Sequence, residues 1–324
     1  MKKLLILAAV AVAGLTACQK EGDNRTHEGG EVIEFRGVTE KTRASLVDGI
    51  ADFNSFFVSA NRSDDAATFG FLNASVYKDG GVWKYAPAKY WPTDAGVTVN
   101  FFAYAPVKDP NMANFAPSGT TATFDYTVPA DQSASNNAAD LLVANVGPQA
   151  TGPVAFVFDH ALSAINFTAE NLAANPKELV FTISKAEITG APTVGTYTYG
   201  TGWSAQGTPA LYKSSVRNTA VGNGETQQLL STNDYLMMLP HTVVPASQNV
   251  VITFSVKDGE GAYIYEDEEL ELDFPASFAF EAGKRYNFTF AFDATNLLNP
   301  ISFTVTLNPW VAPTPDPTPI TPVP

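Results

Sequence analysis

From Val32 onward the apolar positions recur at every second residue, not at the helical spacing of about 3.6. Val97, Val99, Phe101 and Ala103 share one parity, and Thr98, Asn100 and Phe102 the other. The alternation returns at Ala122, Phe124, Tyr126 and Val128, at Val154, Phe156 and Phe158, and at Leu179, Phe181 and Ile183. It continues through Val250, Ile252, Phe254 and Val256, then Leu270, Leu272 and Phe274, then Tyr286, Phe288, Phe290 and Phe292. Ile301, Phe303, Val305 and Leu307 close the series, with Ser302, Thr304 and Thr306 between them. Strict alternation predicts antiparallel strands buried on one face. Asp79-Gly80-Gly81, Pro117-Ser118-Gly119, Asp258-Gly259 and Gly283 supply turns between them. No amphipathic helical stretch exceeds about two turns. The pattern therefore predicts an all-β chain of β-sandwiches. The strongest break is Gly147 to Pro153, which divides it into two halves, each long enough for its own core.

Composition narrows the function. Hydrophobic residues are 45% and charged residues 16% of the 324, so the chain can bury a core. A net charge of −14 argues against nucleic acid as a partner, because phosphate binding needs a basic footprint. Three histidines and one cysteine cannot build a Cys/His zinc site or an intrachain disulfide, and neither metal nor cofactor is expected. The nucleophile-elbow, His-Glu-x-x-His and phosphate-loop patterns are missing, so the chain does not read as an enzyme. Carboxylates are plentiful enough for a glycosidase, but nothing in the sequence places two across a cleft. His160, beside Asp159, reads as structural. Glu266 to Asp273 is acidic enough to suggest calcium, yet Leu270 and Leu272 alternate with the acids as in a strand with a charged outer face. Trp83, Tyr85, Tyr90 and Trp91 are either core or a platform for sugar rings.

The N-terminus carries a targeting signal. Lys2 and Lys3 precede an apolar run from Leu4 to Leu15, shorter than the roughly 20 residues a membrane span needs. Leu15-Thr16-Ala17-Cys18 then resembles the lipobox of bacterial lipoproteins, and it contains the chain's only cysteine. That resemblance implies removal of residues 1–17 and lipidation of Cys18, with palmitate-type acyl chains anchoring the protein in the outer membrane. Gln19 to Gly30 is polar and reads as a tether. Its charges loosely resemble a lipoprotein surface-export signal.

Several longer elements carry a second resemblance. They are Trp83-Lys84-Tyr85-Ala86-Pro87, Tyr90-Trp91-Pro92, Val99-Asn100-Phe101-Phe102-Ala103-Tyr104-Ala105-Pro106 and Asp140-Leu141-Leu142-Val143-Ala144. Phe156 to Ser163, Leu239-Pro240-His241-Thr242 and Phe303 to Trp310 follow in order, with His241 standing where glutamine is usual. Together these elements, over about residues 31–310, resemble the fimbrillin family of type V pilus subunits. The resemblance implies two tandem transthyretin-like antiparallel β-sandwich domains, here 44–150 and 151–310. It also implies an exported precursor that an arginine-specific protease cuts, removing the first strand so that the groove takes a strand from another fimbrial subunit. Anchor and some accessory members escape the cut and keep the lipid.

Onto this sequence those roles fall as follows. Residues 18–43 are tether and removable strand, with Ile33 and Phe35 on one face of Glu31 to Val38. Arg43, followed by Ala44, is the candidate cleavage site; Arg36 is a second, but it interrupts the strand. Arg43 also reads as an ordinary solvated residue of a closed sandwich. Ile301, Phe303, Val305 and Leu307 form the candidate donor strand, offering roughly 6–12 kcal/mol on full burial. The same strand reads equally as the completion of its own domain. Residues 311–324, with proline at almost every second position, read as an extended spur that cannot pair. The expected role is a structural or accessory subunit of a surface fimbria. The alternative is a lipid-anchored surface protein that binds glycan or host protein without polymerising.

Overall fold

The computed structural model describes residues 30–35, 39–40, 53–65, 71–79, 82–133, 139–172, 178–204, 207, 209–230, 235–245, 247–296, 300–309 and 320–322. Among these residues all regular structure is strand, in keeping with the period-two pattern. The first sheet has eight strands. They run Thr39–Glu40, Val157–His160, Leu142–Gln149, Val99–Ala105, Ser55–Arg62, Leu72–Asp79, Val82–Tyr85 and Ile320–Pro322 across the sheet. Val99–Ala105 lies in the middle and is largely buried on both faces for a reason: each face meets a different core. Phe101 and Ala103 enter a smaller core with Phe56, Val58, Trp83, Phe156 and Phe158. Phe102 enters the larger one and meets Tyr199 edge-on at 5.3 Å.

The larger core lies between two further sheets that form a β-sandwich. One runs Thr226–Gln228, Ser163–Asn171, Lys284–Phe292, Ile301–Pro309. The other runs Pro209–Lys213, Val180–Pro192, Asn249–Lys257, Tyr263–Asp273. Phe181 of the second sheet stacks on Phe292 of the first at 5.3 Å. Most pairings are antiparallel, as the alternation predicts, but Ser163–Asn171 runs parallel to Lys284–Phe292. Ser163 through Ala169 is buried without a break, which is the burial a parallel strand between covered faces shows.

The sheets do not part at Gly147 to Pro153. Val157–His160 pairs with Leu142–Gln149 in the first sheet, and Thr121–Thr127 pairs with Val194–Thr198 from the other half of the chain. The cause is packing: Ala122, Phe124 and Tyr126 fill the larger core, whereas Phe156 and Phe158 fill the smaller. Gln132 locks this crossing. Its Nε2 donates to the carbonyls of Pro129 and Met237, and its Oε1 accepts from the Met237 amide at 2.8 Å.

The tail departs from the expected spur. Ile320–Pro322 runs parallel beside Val82–Tyr85, with Ile320 opposite Trp83. Ile320 and Thr321 are the one adjacent pair between Pro313 and Pro324 that both keep an amide hydrogen. The strand sits at the sheet edge, where a proline's missing donor is tolerated.

Candidate functional site

Ile33 and Phe35 are the focus of the N-terminal segment. Both are fully buried in the smaller core, although this segment makes only isolated bridges, Val32 to Tyr90 and Phe35 to Val154. The Phe35 ring meets Tyr85 at 5.2 Å, Phe156 at 5.6 Å and Phe101 at 6.1 Å. Backbone bonds hold the segment on both sides: Ile33 N to Lys89 O, Trp91 N to Glu31 O and Val154 N to Glu34 O, each 2.8 Å. The Tyr85 hydroxyl donates to Ile33 O at 2.6 Å, and burial pushes that phenol's pKa well up. The groove that receives residues 31–35 is thus apolar at its floor and lined by backbone donors and acceptors. That chemistry suits an extended strand.

Toward the C-terminus, Ile301–Pro309 pairs antiparallel with Lys284–Phe292 over nine residues. It is the outer strand of its sheet. Ile301 is buried, Phe303 stacks on Phe288 and Phe290 at 5.4 and 5.7 Å, and Leu307 is 51% exposed. Val305 is half-buried against the same core.

Cys18, Arg36, Arg43 and Ala44 lie outside the described residues. Trp83, Tyr85 and Trp91 are core residues, at most 3% exposed, so they offer no platform to a sugar; their apolar rings face Phe53, Phe35 and Phe101 instead. Tyr263–Asp273 is the charged edge strand expected there, with Glu269 taking a 2.9 Å ion pair from Lys185. Among the described residues no group of three or more His, Cys, Asp or Glu is placed to hold a metal. His160 is buried with Nδ1 2.8 Å from Asp140 Oδ1.

One arrangement escaped the sequence reading. Tyr197 and Trp203 face each other across a short hairpin, Val194–Thr198 with Gly202–Ser204, with their rings 5.2 Å apart. They line an open cleft of about 690 Å³ with Asp159, His241, Phe280 and Lys284. Trp203 Nε1 donates to Ala161 O at 2.6 Å, which fixes the indole. Burial and the nearby Asp159 carboxylate push the Tyr197 hydroxyl up to about 12. His241 stacks on Phe280 at 5.2 Å, and burial pushes its pKa down, against the opposing hydrogen bond from Nδ1 to Leu239 O. The only available signal was the crowding of aromatics in Thr196-Tyr197-Thr198-Tyr199-Gly200-Thr201-Gly202-Trp203.

A protein-family model described as fimbrillin-like matches residues 42–310. No curated protein matches the chain. Solved structures share the fold. A fimbrial protein from Bacteroides vulgatus ATCC 8482 is 15% identical, covers 85% of this chain and 100% of its own, and superposes with a TM-score of 0.61. A candidate cell adhesion protein from Bacteroides ovatus ATCC 8483 is 17% identical, with 87% and 98% coverage and a TM-score of 0.54. Another, from Bacteroides uniformis ATCC 8492, is 18% identical, with 85% and 99% coverage and a TM-score of 0.52.

Proposed function

Because the chain belongs to the fimbrillin-like family of fimbrial subunit proteins, we propose that it is a cell-surface fimbrial subunit assembled by protease-triggered strand exchange. In this reading the precursor is exported as a lipoprotein through Cys18 and reaches the outer membrane. An arginine-specific protease cuts between Arg43 and Ala44 and releases residues 18–43. A strand from another fimbrial subunit then fills the vacated groove.

The observation that carries the reading is the burial of Ile33 and Phe35. Two side chains completing a core come from a segment that lies wholly before Arg43 and is joined to it by isolated bridges. Removing them exposes an apolar groove with an unpaired carbonyl at Lys89 and unpaired amides at Trp91 and Val154, which a β-strand can satisfy. Ile301, Phe303, Val305 and Leu307 are the donor candidate; Leu307 retains area to bury against a partner.

A second reading rests on the pairing of Ile301–Pro309 with Lys284–Phe292 within the chain. That strand completes its own sheet, as an uncut lipoprotein with no strand to give would require. Such a protein would be an anchor or a surface binder. The N-terminus and oligomeric state of protein taken from the cell surface separate the readings. A start at Ala44 with SDS-resistant ladders, both lost in Arg43→Ala, supports polymerisation. A lipidated monomer beginning at Cys18 refutes it.

A further inference from the structure

We propose that the cleft lined by Tyr197 and Trp203 is a saccharide-binding site. Its volume, about 690 Å³, falls in the range of about 300–1,000 Å³ of small-ligand sites. Its walls combine aromatic rings with a few polar groups, the usual composition of such sites. The two rings are held rigidly. Trp203 is fixed through Nε1 to Ala161 O, and Tyr197 stacks on Phe124 at 5.1 Å. Gly195 lies beneath the indole; a Cβ there would come within 3.0 Å of a ring carbon, so glycine lets the indole lie flat against the hairpin. Rigid half-buried rings offer flat apolar faces at little entropic cost, and the C–H face of a pyranose matches them.

The polar groups set the ligand class. Asp159 is exposed at the cleft, with the Tyr197 hydroxyl near its charge, and Lys284 lines the same cleft. A carboxylate accepts hydrogen bonds from sugar hydroxyls, and an ammonium donates to sugar oxygens. The two opposite charges disfavour a purely cationic or a purely anionic ligand. His241, kept neutral by burial, adds no charge near neutral pH. A neutral polyol with one apolar face satisfies all of these groups.

The proposal goes beyond the assembly role and does not depend on it. The full chain is titrated calorimetrically with purified galactose, N-acetylglucosamine, mannose and fucose, with N-acetylneuraminic acid, and with a synthetic peptide of residues 311–324. At least one neutral sugar should bind saturably. Asp159→Ala should weaken it by about tenfold or more, the value of a hydrogen bond to a charged group. Trp203→Leu should weaken it similarly. Asp159 is exposed, so its variant keeps the test valid if Trp203→Leu misfolds. Absence of saturable sugar binding overturns the proposal. So does binding that both variants leave unchanged, or binding of the acidic sugar or the proline-rich peptide alone.

Discussion

Replacing Phe35 by alanine should destabilise the smaller core by about 3–5 kcal/mol, the range for deleting a buried phenyl ring. The structure places the residue in that class. Phe35 is fully buried, and its ring contacts Tyr85, Phe101 and Phe156 within 6.1 Å. Those neighbours belong to different strands and loops of a packed core, so the space can close only partly. A loss of this size is about a fifth or more of the about 5–15 kcal/mol that stabilises a typical domain. Urea unfolding followed by tryptophan fluorescence reads it directly, because Trp83 and Trp91 are both buried in the same core. Ile33→Ala should lose about 2–5 kcal/mol in the same assay. Val244→Ala, at a residue 56% exposed, should stay within about 0.5 kcal/mol. A Phe35→Ala loss below about 1 kcal/mol would refute the reasoning: the N-terminal segment would then not complete the core, and its removal could not open a groove worth refilling.

Tyr85→Phe deletes the buried hydroxyl that donates to Ile33 O and should cost about 1–2 kcal/mol by the same urea assay. Gln132→Leu strands the buried amide and carbonyl of Met237; it should cost about 1–3 kcal/mol and speed hydrogen exchange at Met237. Gly190 has φ +68, and a Cβ there would lie 2.0 Å from Ser247 O. Gly190→Ala should therefore cost more than the about 1–2 kcal/mol of left-handed backbone alone, seen as a lowered Tm. Burial depresses the His241 pKa from 6.5, so the folded chain binds this proton more weakly than the unfolded chain. Its contribution to stability is complete above about pH 6.5 and is lost as pH falls through the depressed value, by at most about 1.4 kcal/mol per pH unit. His241→Gln should flatten that part of a pH series of urea midpoints; an unchanged slope would remove His241 as the cause.

Much of the fold was legible because period-two alternation is a local property. Ala122, Phe124, Tyr126 and Val128 announce a buried face by themselves, and all four are fully buried. Leu270 and Leu272 among acids likewise announce the charged edge of Tyr263–Asp273. The candidate lipidation and cleavage residues, Cys18 and Arg43, came from short motifs and resemblance, which depend on residue identity alone. Parity, however, says which side chains share a face and not which strand lies alongside, because ladder hydrogen bonds join backbone groups that every residue carries. Only tertiary packing could bring Thr121–Thr127 to Val194–Thr198, or seat Ile320–Pro322 on Val82–Tyr85. The same limit hid the roles of the aromatics. Trp83 and Trp91 sank into the core, while Tyr197 and Trp203 stayed half-buried at a cleft, since exposure depends on what other segments cover. The sequence by itself determined strand character and which side chains share a face. The tertiary structure decided partners, burial and site, because those depend on contacts between residues far apart in the chain.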